Sequence, residues 1–307
     1  MTKGRVIKST GSITTVETES GDLLECRVRG KLRQAGMRST NPVAVGDRVK
    51  VEGGEGGHVI SAVEPRTNYI VRKSVNLSKE SHIIASNLDR AVLIATMREP
   101  MTFPVFIDRF CVAAEAYHIP VAVVFNKVDL LDKEERELLE NFMSVYADLG
   151  YETLACSAVT GEGKERFRTM LEGKVSLLSG HSGAGKSSLI NALDPGLDIR
   201  VGQVSDAHRT GKHTTTYAEM HKLSEGTFIV DTPGIRGFGL IDFEREELAG
   251  YFPEMRALLS ECKFYNCRHL TEPGCAVKEG VKSGKVAETR YKSYLNMYEE
   301  NEGENYR

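Results

Sequence analysis

Hydrophobic and polar positions follow three rhythms in succession along the chain. From Gly4 to about Arg66 the apolar residues come in short β-branched runs, at residues 5–8, 12–16, 23–28, 47–51 and 58–63. Turn residues such as Ser20-Gly21-Asp22 and Gly53-Gly54 part them. About five strands in so short a length predict a small closed barrel, and the OB type is the common five-stranded form. Residues 67–89 read as a connector. The rhythm then changes. Residues 91–96 and 121–125 are continuously apolar, as strands buried on both faces are, whereas 105–117 and 132–149 repeat with a helical period. Asp132, followed three residues later by Glu135, is a capping box that starts the second helix. Strands at 153–156, 175–179 and 227–230 and helices at 161–171 and 188–193 continue the alternation, which predicts a parallel sheet with helices on both faces.

The third rhythm is sparse. Residues 237–307 hold too few apolar side chains to fold on a core of their own, and the acidic stretch 299–304 reads as disordered. Lys278, Lys282, Lys285, Arg290 and Lys292 lie on a helix-like run that faces either RNA or plain solvent. The expected division is a barrel at 1–66, an α/β nucleotide-binding domain at 67–236 and a helical C-terminal domain at 237–307.

Composition adds location and charge to this picture. No apolar run approaches the length of a membrane span, and Met1-Thr2-Lys3-Gly4-Arg5 lacks the apolar core of a signal peptide, so a cytosolic protein with no membrane partner is expected. Residues 1–66 hold 11 Lys and Arg against 8 Asp and Glu, a net +3, which leaves −6 for the rest of a chain whose net charge is −3. Much of that basic excess sits in one barrel loop, residues 29–38, where it suits phosphate contact by an oligonucleotide-binding barrel. A solvated loop on a purely structural barrel is the alternative.

Candidate chemistry concentrates in the middle domain. Gly180-His181-Ser182-Gly183-Ala184-Gly185-Lys186-Ser187, between an apolar strand and the helix that begins near Ser188, fits the phosphate loop G-x-x-x-x-G-K-[ST]. Its glycines let backbone N–H groups turn inward onto phosphate oxygens, Lys186 is placed to neutralise the β- and γ-phosphates, and the Ser187 hydroxyl to ligate magnesium. Strand 121–125 ends in Asn126-Lys127-Val128-Asp129, at the end of a parallel strand where ligands bind. A carboxylate at Asp129 can accept two N–H bonds from guanine, a donor pair that adenine lacks. Lys127 would lie along the base, and Asn126 would tie this loop to the phosphate loop. The next strand ends in Cys156-Ser157-Ala158, positioned to offer a backbone N–H near the guanine oxygen. Residues 202–216 are rich in Gly, Ser, His and Thr and suit a segment that orders around magnesium and the γ-phosphate, with Thr215 the chosen hydroxyl and Thr214 and Thr216 its alternates. Asp231-Thr232-Pro233-Gly234 follows the last strand, where Asp231 can hold a magnesium water and the Gly234 N–H can sense the γ-phosphate.

Of the six cysteines, Cys26, Cys111 and Cys156 are expected to be buried small hydrophobes. Cys262, Cys267 and Cys275 cluster with His269 in a Cys-x4-Cys-x-His-x5-Cys spacing. Three thiolates and an imidazole complete a tetrahedral zinc shell with no open position, so one structural zinc is expected, supplying the folding free energy that the apolar-poor C-terminal region lacks.

The guanine-nucleotide motifs run base recognition first and phosphate loop later, the reverse of the common small-GTPase order. With the barrel before them and the cysteine cluster after, the chain resembles, over almost its whole length, the circularly permuted GTPases of the ribosome small-subunit-dependent GTPase A family. That resemblance implies GTP hydrolysis to GDP stimulated by the small ribosomal subunit and a role in its late assembly. It also implies contacts of barrel and zinc domain with ribosomal RNA, and release on hydrolysis; a monomer is expected. Ras-like enzymes orient water with a glutamine just after Asp-x-x-Gly, but here Ile235 stands there and cannot hydrogen-bond. His213 matches the position where the family places its catalytic histidine. A phosphate, RNA or structural contact is its alternative role.

Overall fold

The computed structural model describes residues 1–10, 13–30, 32, 42–54, 57–73, 81–197, 218–231 and 245–304. Strands β1 (Thr2–Ser9), β2 (Thr14–Thr18), β3 (Leu23–Val28), β4 (Arg48–Gly54) and β5 (Gly57–Val63) run in the spatial order β1-β2-β3-β5-β4, and β4 returns to pair with β1. The ring is closed, with β3 and β5 its one parallel pair. Closure removes free edges, and alternating inward residues Val6, Val16, Cys26, Val49, Val51 and Ile60 fill the interior.

Residues 67–89 are more than a connector. Strands β6 (Tyr69–Lys73) and β7 (Ser81–Ser86) pair antiparallel, with Ile70 and Ala85 buried in the central core. Their ends, Arg72-Lys73 and Ser81-His82, are polar, which leaves too short an apolar run to read as a strand.

The central domain follows as β8 (Arg90–Ala95), α1 (Pro104–Ala116), β9 (Val121–Phe125), α2 (Lys133–Ala147), β10 (Glu152–Ala155), α3 (Lys164–Leu171), β11 (Val175–Ser179), α4 (Lys186–Leu193), β12 (Glu219–Ser224) and β13 (Thr227–Asp231). Its sheet has the order β10-β9-β8-β11-β13-β12, with β12 antiparallel to an otherwise parallel set. Helices α1 and α2 cover one face through Ile107, Phe110, Leu139 and Tyr146, and α3 and α4 cover the other through Phe167, Met170, Leu189 and Ile190. Every residue of β9 and β11 is therefore buried, the physical reason for the unbroken apolar sequence of β9. The capping box forms, with the Glu135 N–H donating to Asp132 Oδ1 at 2.9 Å and the Asp132 N–H to Glu135 Oε2 at 3.1 Å. Barrel and central domain meet at several places. Strand β1 pairs with β12 at Lys8 and Glu219, and buried Asp47 accepts from Arg66 Nε and Nη2 (both 2.7 Å) and from Ser86 Oγ (2.6 Å).

The C-terminal part holds the short helices α5 (Pro253–Arg256) and α6 (Ala276–Lys282) and the long helix α7 (Glu288–Glu304). Leu248, Phe252, Met255, Val277, Val286, Tyr294 and Met297 form its core, to which α1 contributes Val112. Two expectations are corrected here. Residues 299–304 continue α7 instead of being disordered, because Tyr298 is buried and Glu300 pairs with Arg109 of α1. Arg290 faces neither RNA nor solvent. It is 1% exposed, bound to Asp108 of α1 through Nη1 (2.7 Å) and to Glu254 of α5 through Nε (2.7 Å) and Nη2 (3.2 Å), while Tyr146 of α2 donates its hydroxyl to Asp108 at 2.9 Å. Burial opposes the guanidinium charge, but the two carboxylates outweigh it and hold the Arg290 pKa well above its usual value. Lys282 and Lys292 instead bridge to Glu279 and Glu288 on the surface. Cys26, Cys111 and Cys156 are buried, and desolvation pushes the Cys156 thiol up to about 12. Among the described residues no helix is long and apolar enough to cross a membrane.

Candidate functional site

The carboxyl ends of β8, β9, β10, β11 and β13 open on one edge of the sheet, where loops from successive strands converge. At the centre, β11 runs into Gly180, whose φ of +146° belongs to glycine, and a Cβ there would strike the Ile94 carbonyl oxygen of the neighbouring strand. The loop ends at Gly185, with φ +89°, which caps α4. The N-terminus of α4 thus faces the loop, with Lys186, the buried Ser187 and Ser188 in its first turn. The Lys186 ammonium spans the loop mouth, donating to the carbonyls of Gly180 (2.7 Å) and His181 (2.9 Å). Phosphate oxygens hold an ammonium more strongly than neutral carbonyls do. Ser182 and Gly183 are exposed at the mouth, and Ala184 is buried beneath it.

The loop after β9 meets the phosphate loop through one side chain. Asn126, 3% exposed, donates Nδ2 to the Ala184 carbonyl at 2.9 Å and accepts from the Ala158 N–H through Oδ1 at 3.2 Å. Three loops, those after β9, β10 and β11, are therefore joined at Asn126. Gly185 makes the approach feasible, because a Cβ there would overlap Asn126 Nδ2. Lys127 takes a left-handed backbone (φ +65°) and reaches the Glu99 carbonyl with its ammonium, while Val128 is buried. Asp129 is exposed and accepts from Ser157 Oγ at 2.5 Å. Ser157 also accepts from the N–H groups of Val159 (3.2 Å) and Thr160 (3.1 Å), which fixes its hydroxyl to donate toward Asp129.

Several contributors escape sequence reading. Arg136 of α2 forks onto both Glu162 oxygens (2.9 and 3.0 Å) and donates to the Val128 carbonyl (2.8 Å), while the Ser157 N–H donates to the Glu162 carbonyl (2.9 Å). This latch locks together the loops after β9 and β10, and its hydrogen bonds from Arg136 hold the Glu162 carboxyl below its usual range. The loop between β8 and α1 supplies Glu99 and Pro100 beside the phosphate loop, and Phe106 of α1 stacks on His181 with ring centroids 3.8 Å apart. Burial, then Lys186, lowers the His181 pKa. The position of this loop after a buried parallel strand was the available signal.

Asp231 ends β13, where its backbone pairs with Leu178 of β11, two residues before the phosphate loop. His213, Thr214, Thr215, Thr216, Gly234 and Ile235 lie outside the described residues, as do residues 33–38 of the basic barrel loop.

A second cluster lies in the C-terminal domain. The ligand atoms of Cys262, Cys267, His269 and Cys275 all fall within 4.8 Å of one another. His269, 2% exposed, directs Nδ1 at Cys275 Sγ (3.4 Å) and Cys262 Sγ (3.7 Å). Tyr291 and Tyr294 donate their hydroxyls to the carbonyls of His269 (2.6 Å) and Arg268 (2.7 Å), and Glu272 accepts from the N–H groups of Arg268 and Leu270 (both 2.9 Å). These partners set the loop that carries the ligands. The group can hold a metal ion.

A family model described as RsgA GTPase matches residues 63–241, and one described as RsgA N-terminal domain matches residues 3–58. The chain belongs to the RsgA GTPase family. It is a GTP hydrolase. The small ribosomal subunit biogenesis GTPase RsgA of Bacteroides fragilis (strain YCH46) is 50% identical over 306 residues, covering 99% of each chain. The protein of the same name from Porphyromonas gingivalis (strain ATCC 33277) is 50% identical over 311 residues, 99% of this chain and 98% of its own. Among solved structures, YjeQ from Thermotoga maritima superposes with a TM-score of 0.81 at 35% identity, over 97% of this chain and 98% of that one. YloQ, described as a circularly permuted GTPase, does so with a TM-score of 0.77 at 28% identity, over 99% and 96%. Each of these matches spans the barrel, the nucleotide domain and the C-terminal part of this chain.

Proposed function

We propose that this RsgA-family GTPase is a late-stage assembly factor of the small ribosomal subunit, bound to ribosomal RNA and stimulated by the subunit, and released when GTP is hydrolysed. The observation that carries the nucleotide reading is Asn126, whose one amide joins the loops after β9, β10 and β11. Such a junction lets a single ligand be read at its base by Asp129 and at its phosphates by Lys186. In this reading residues 180–188 cradle the phosphates, and Asn126, Lys127, Val128, Asp129, Ser157 and Ala158 form the guanine side. Ser187 and Thr215 ligate magnesium, Asp231 holds one of its waters and Gly234 senses the γ-phosphate. His213 orients the attacking water, in place of the glutamine whose position Ile235 occupies. Residues 1–66 and 237–307 are the RNA-facing ends of a cytoplasmic monomer, and residues 67–236 are the hydrolase.

The cluster at Cys262, Cys267, His269 and Cys275 would hold one zinc ion. Three sulfurs and one buried imidazole suit zinc in a closed, structural shell. Bound there, the ion would cross-link the loop; the chemistry at the nucleotide belongs to other residues.

GTP hydrolysis measured with and without purified small subunits tests the proposal. Stimulation by subunits, lost in Lys186→Ala, is expected. Asp129→Asn should shift preference from GTP toward xanthosine triphosphate, and His213→Ala should keep GTP affinity while losing stimulated turnover. Equal turnover with and without subunits would refute the proposed partner.

A further inference from the structure

The loop between the first two cysteines of the metal cluster presents a surface that the fold does not use. Tyr265 is 103% exposed and Phe264 40% exposed, and their neighbours Lys263, Asn266 and Arg268 are exposed as well. A fully exposed tyrosine removes no apolar area from water, so it contributes nothing to stability. The backbone beneath is nevertheless fixed. The Lys263 N–H donates to the Gly274 carbonyl at 3.1 Å, the Cys267 N–H donates to the Phe264 carbonyl at 3.2 Å, and Tyr294 braces the Arg268 carbonyl. Gly274 has φ +69°, and a Cβ there would press within 3.2 Å of the Lys263 side chain. The Lys263 ammonium lies 5.5 Å from the Phe264 ring centroid, and among the described residues neither Lys263 nor Arg268 is paired with a carboxylate. Two adjacent aromatic side chains thus stand on a rigid turn flanked by two cations that no carboxylate holds, one of them against the Phe264 ring.

We propose that Phe264 and Tyr265 form a stacking platform for an unpaired RNA base, with Lys263 and Arg268 on the flanking phosphates. This rests on the reading that the chain binds ribosomal RNA and names one place where it does so. Single-stranded bases offer their faces to exposed aromatic side chains, each worth about 1–3 kcal/mol, whereas bases in a duplex are hidden in the stack. A protein partner is the poorer fit, since lysine is depleted from protein interfaces and here Lys263 stands against the Phe264 ring.

The test uses the full-length protein loaded with zinc and measures its binding to a single-stranded oligouridylate, to an RNA duplex of equal length and to small subunits. Tyr265→Ala should weaken oligouridylate binding roughly 5- to 150-fold, the equivalent of one lost stacked base, and leave duplex binding unchanged. Tyr265→Phe and Tyr265→Trp should bind as wild type does, within about twofold for a retained ring. Lys263→Ala should reduce the salt dependence of binding by about one phosphate contact. Zinc content and basal GTP hydrolysis should stay at wild-type values in every variant, which separates a lost contact from a lost fold. Wild-type oligouridylate affinity in Tyr265→Ala would overturn the platform, as would an equal loss on the duplex. Loss of subunit binding alone would also overturn it by pointing to a protein contact. A wild-type chain that binds neither RNA nor subunits would instead overturn the assembly-factor reading.

Discussion

Arg290→Ala probes how the C-terminal domain is held on the GTPase domain. The guanidinium is 1% exposed and the side chains of Asp108 and Glu254 are 0% and 4% exposed, so truncation leaves two buried carboxylates facing no counter-charge. Breaking such a group by removing one partner costs about 3–5 kcal/mol, far more than any surface pair in this chain. The loss includes the packing of the guanidinium on Phe252, 4.7 Å from its ring centroid. Because the cluster joins α1 and α2 to α5 and α7, the cost should appear as undocking of the C-terminal helices. Hydrogen exchange of the α7 amides should accelerate by about 10²- to 10⁴-fold, the factor equivalent to that energy. Affinity for a fluorescent GTP analogue should change by less than about twofold, because the variant touches none of the loops joined at Asn126. Replacing the whole group with Asp108→Leu, Tyr146→Phe, Glu254→Leu and Arg290→Met should restore slow exchange, since no buried charge then remains unpaired. Exchange in α7 that stays within about tenfold of wild type in Arg290→Ala would refute the reasoning.

Three further outcomes are expected. Gly185→Ala combines a strained φ of +89° with a Cβ that overlaps Asn126 Nδ2, so GTP affinity measured by fluorescence should fall at least about tenfold, while Ala at Gly250, where a Cβ meets open space, should change nothing. Arg136→Ala unlatches the loops that carry Asp129 and Ser157, so the KM for GTP should rise about three- to tenfold with kcat unchanged, as expected when ground-state binding alone is lost. The charge reversal Arg136→Glu with Glu162→Arg should recover most of that loss. Chelation of the metal should release one zinc per chain and raise trypsin sensitivity between residues 262 and 275. Peptide mapping would show whether cleavage begins there or in the barrel, and cleavage beginning in the barrel would contradict a structural metal.

The nucleotide loops were legible because their chemistry is local. The proposed phosphate cradle needs Gly180, Gly185 and Lys186 close together in sequence, and the proposed base-reading loop needs Asn126 and Asp129 at the end of one strand. The Cys-x4-Cys-x-His-x5-Cys loop was legible for the same reason, since four ligands on one short turn converge with little help from the rest of the fold. Arg136, Glu162 and Phe106 were not legible. Each acts through a partner 26 to 75 residues away, and a charged or aromatic residue on a helix has the same signature whether it latches a loop or faces water.

By itself the sequence determined the strands of the barrel, most strands and helices of the central sheet, the permuted order of the nucleotide motifs and a Cys3His cluster that can hold a metal ion. These follow from period, turn chemistry and short-range spacing, which are written in consecutive residues. Only the tertiary structure decided that 67–89 pairs as β6 and β7, that the acidic end of the chain continues α7, and that Arg290 is buried instead of facing RNA. The physical reason is the same in each case. A charged or polar residue is solvated unless a distant segment brings it a partner, and here Asp108, 182 residues away in sequence, brings Arg290 its own.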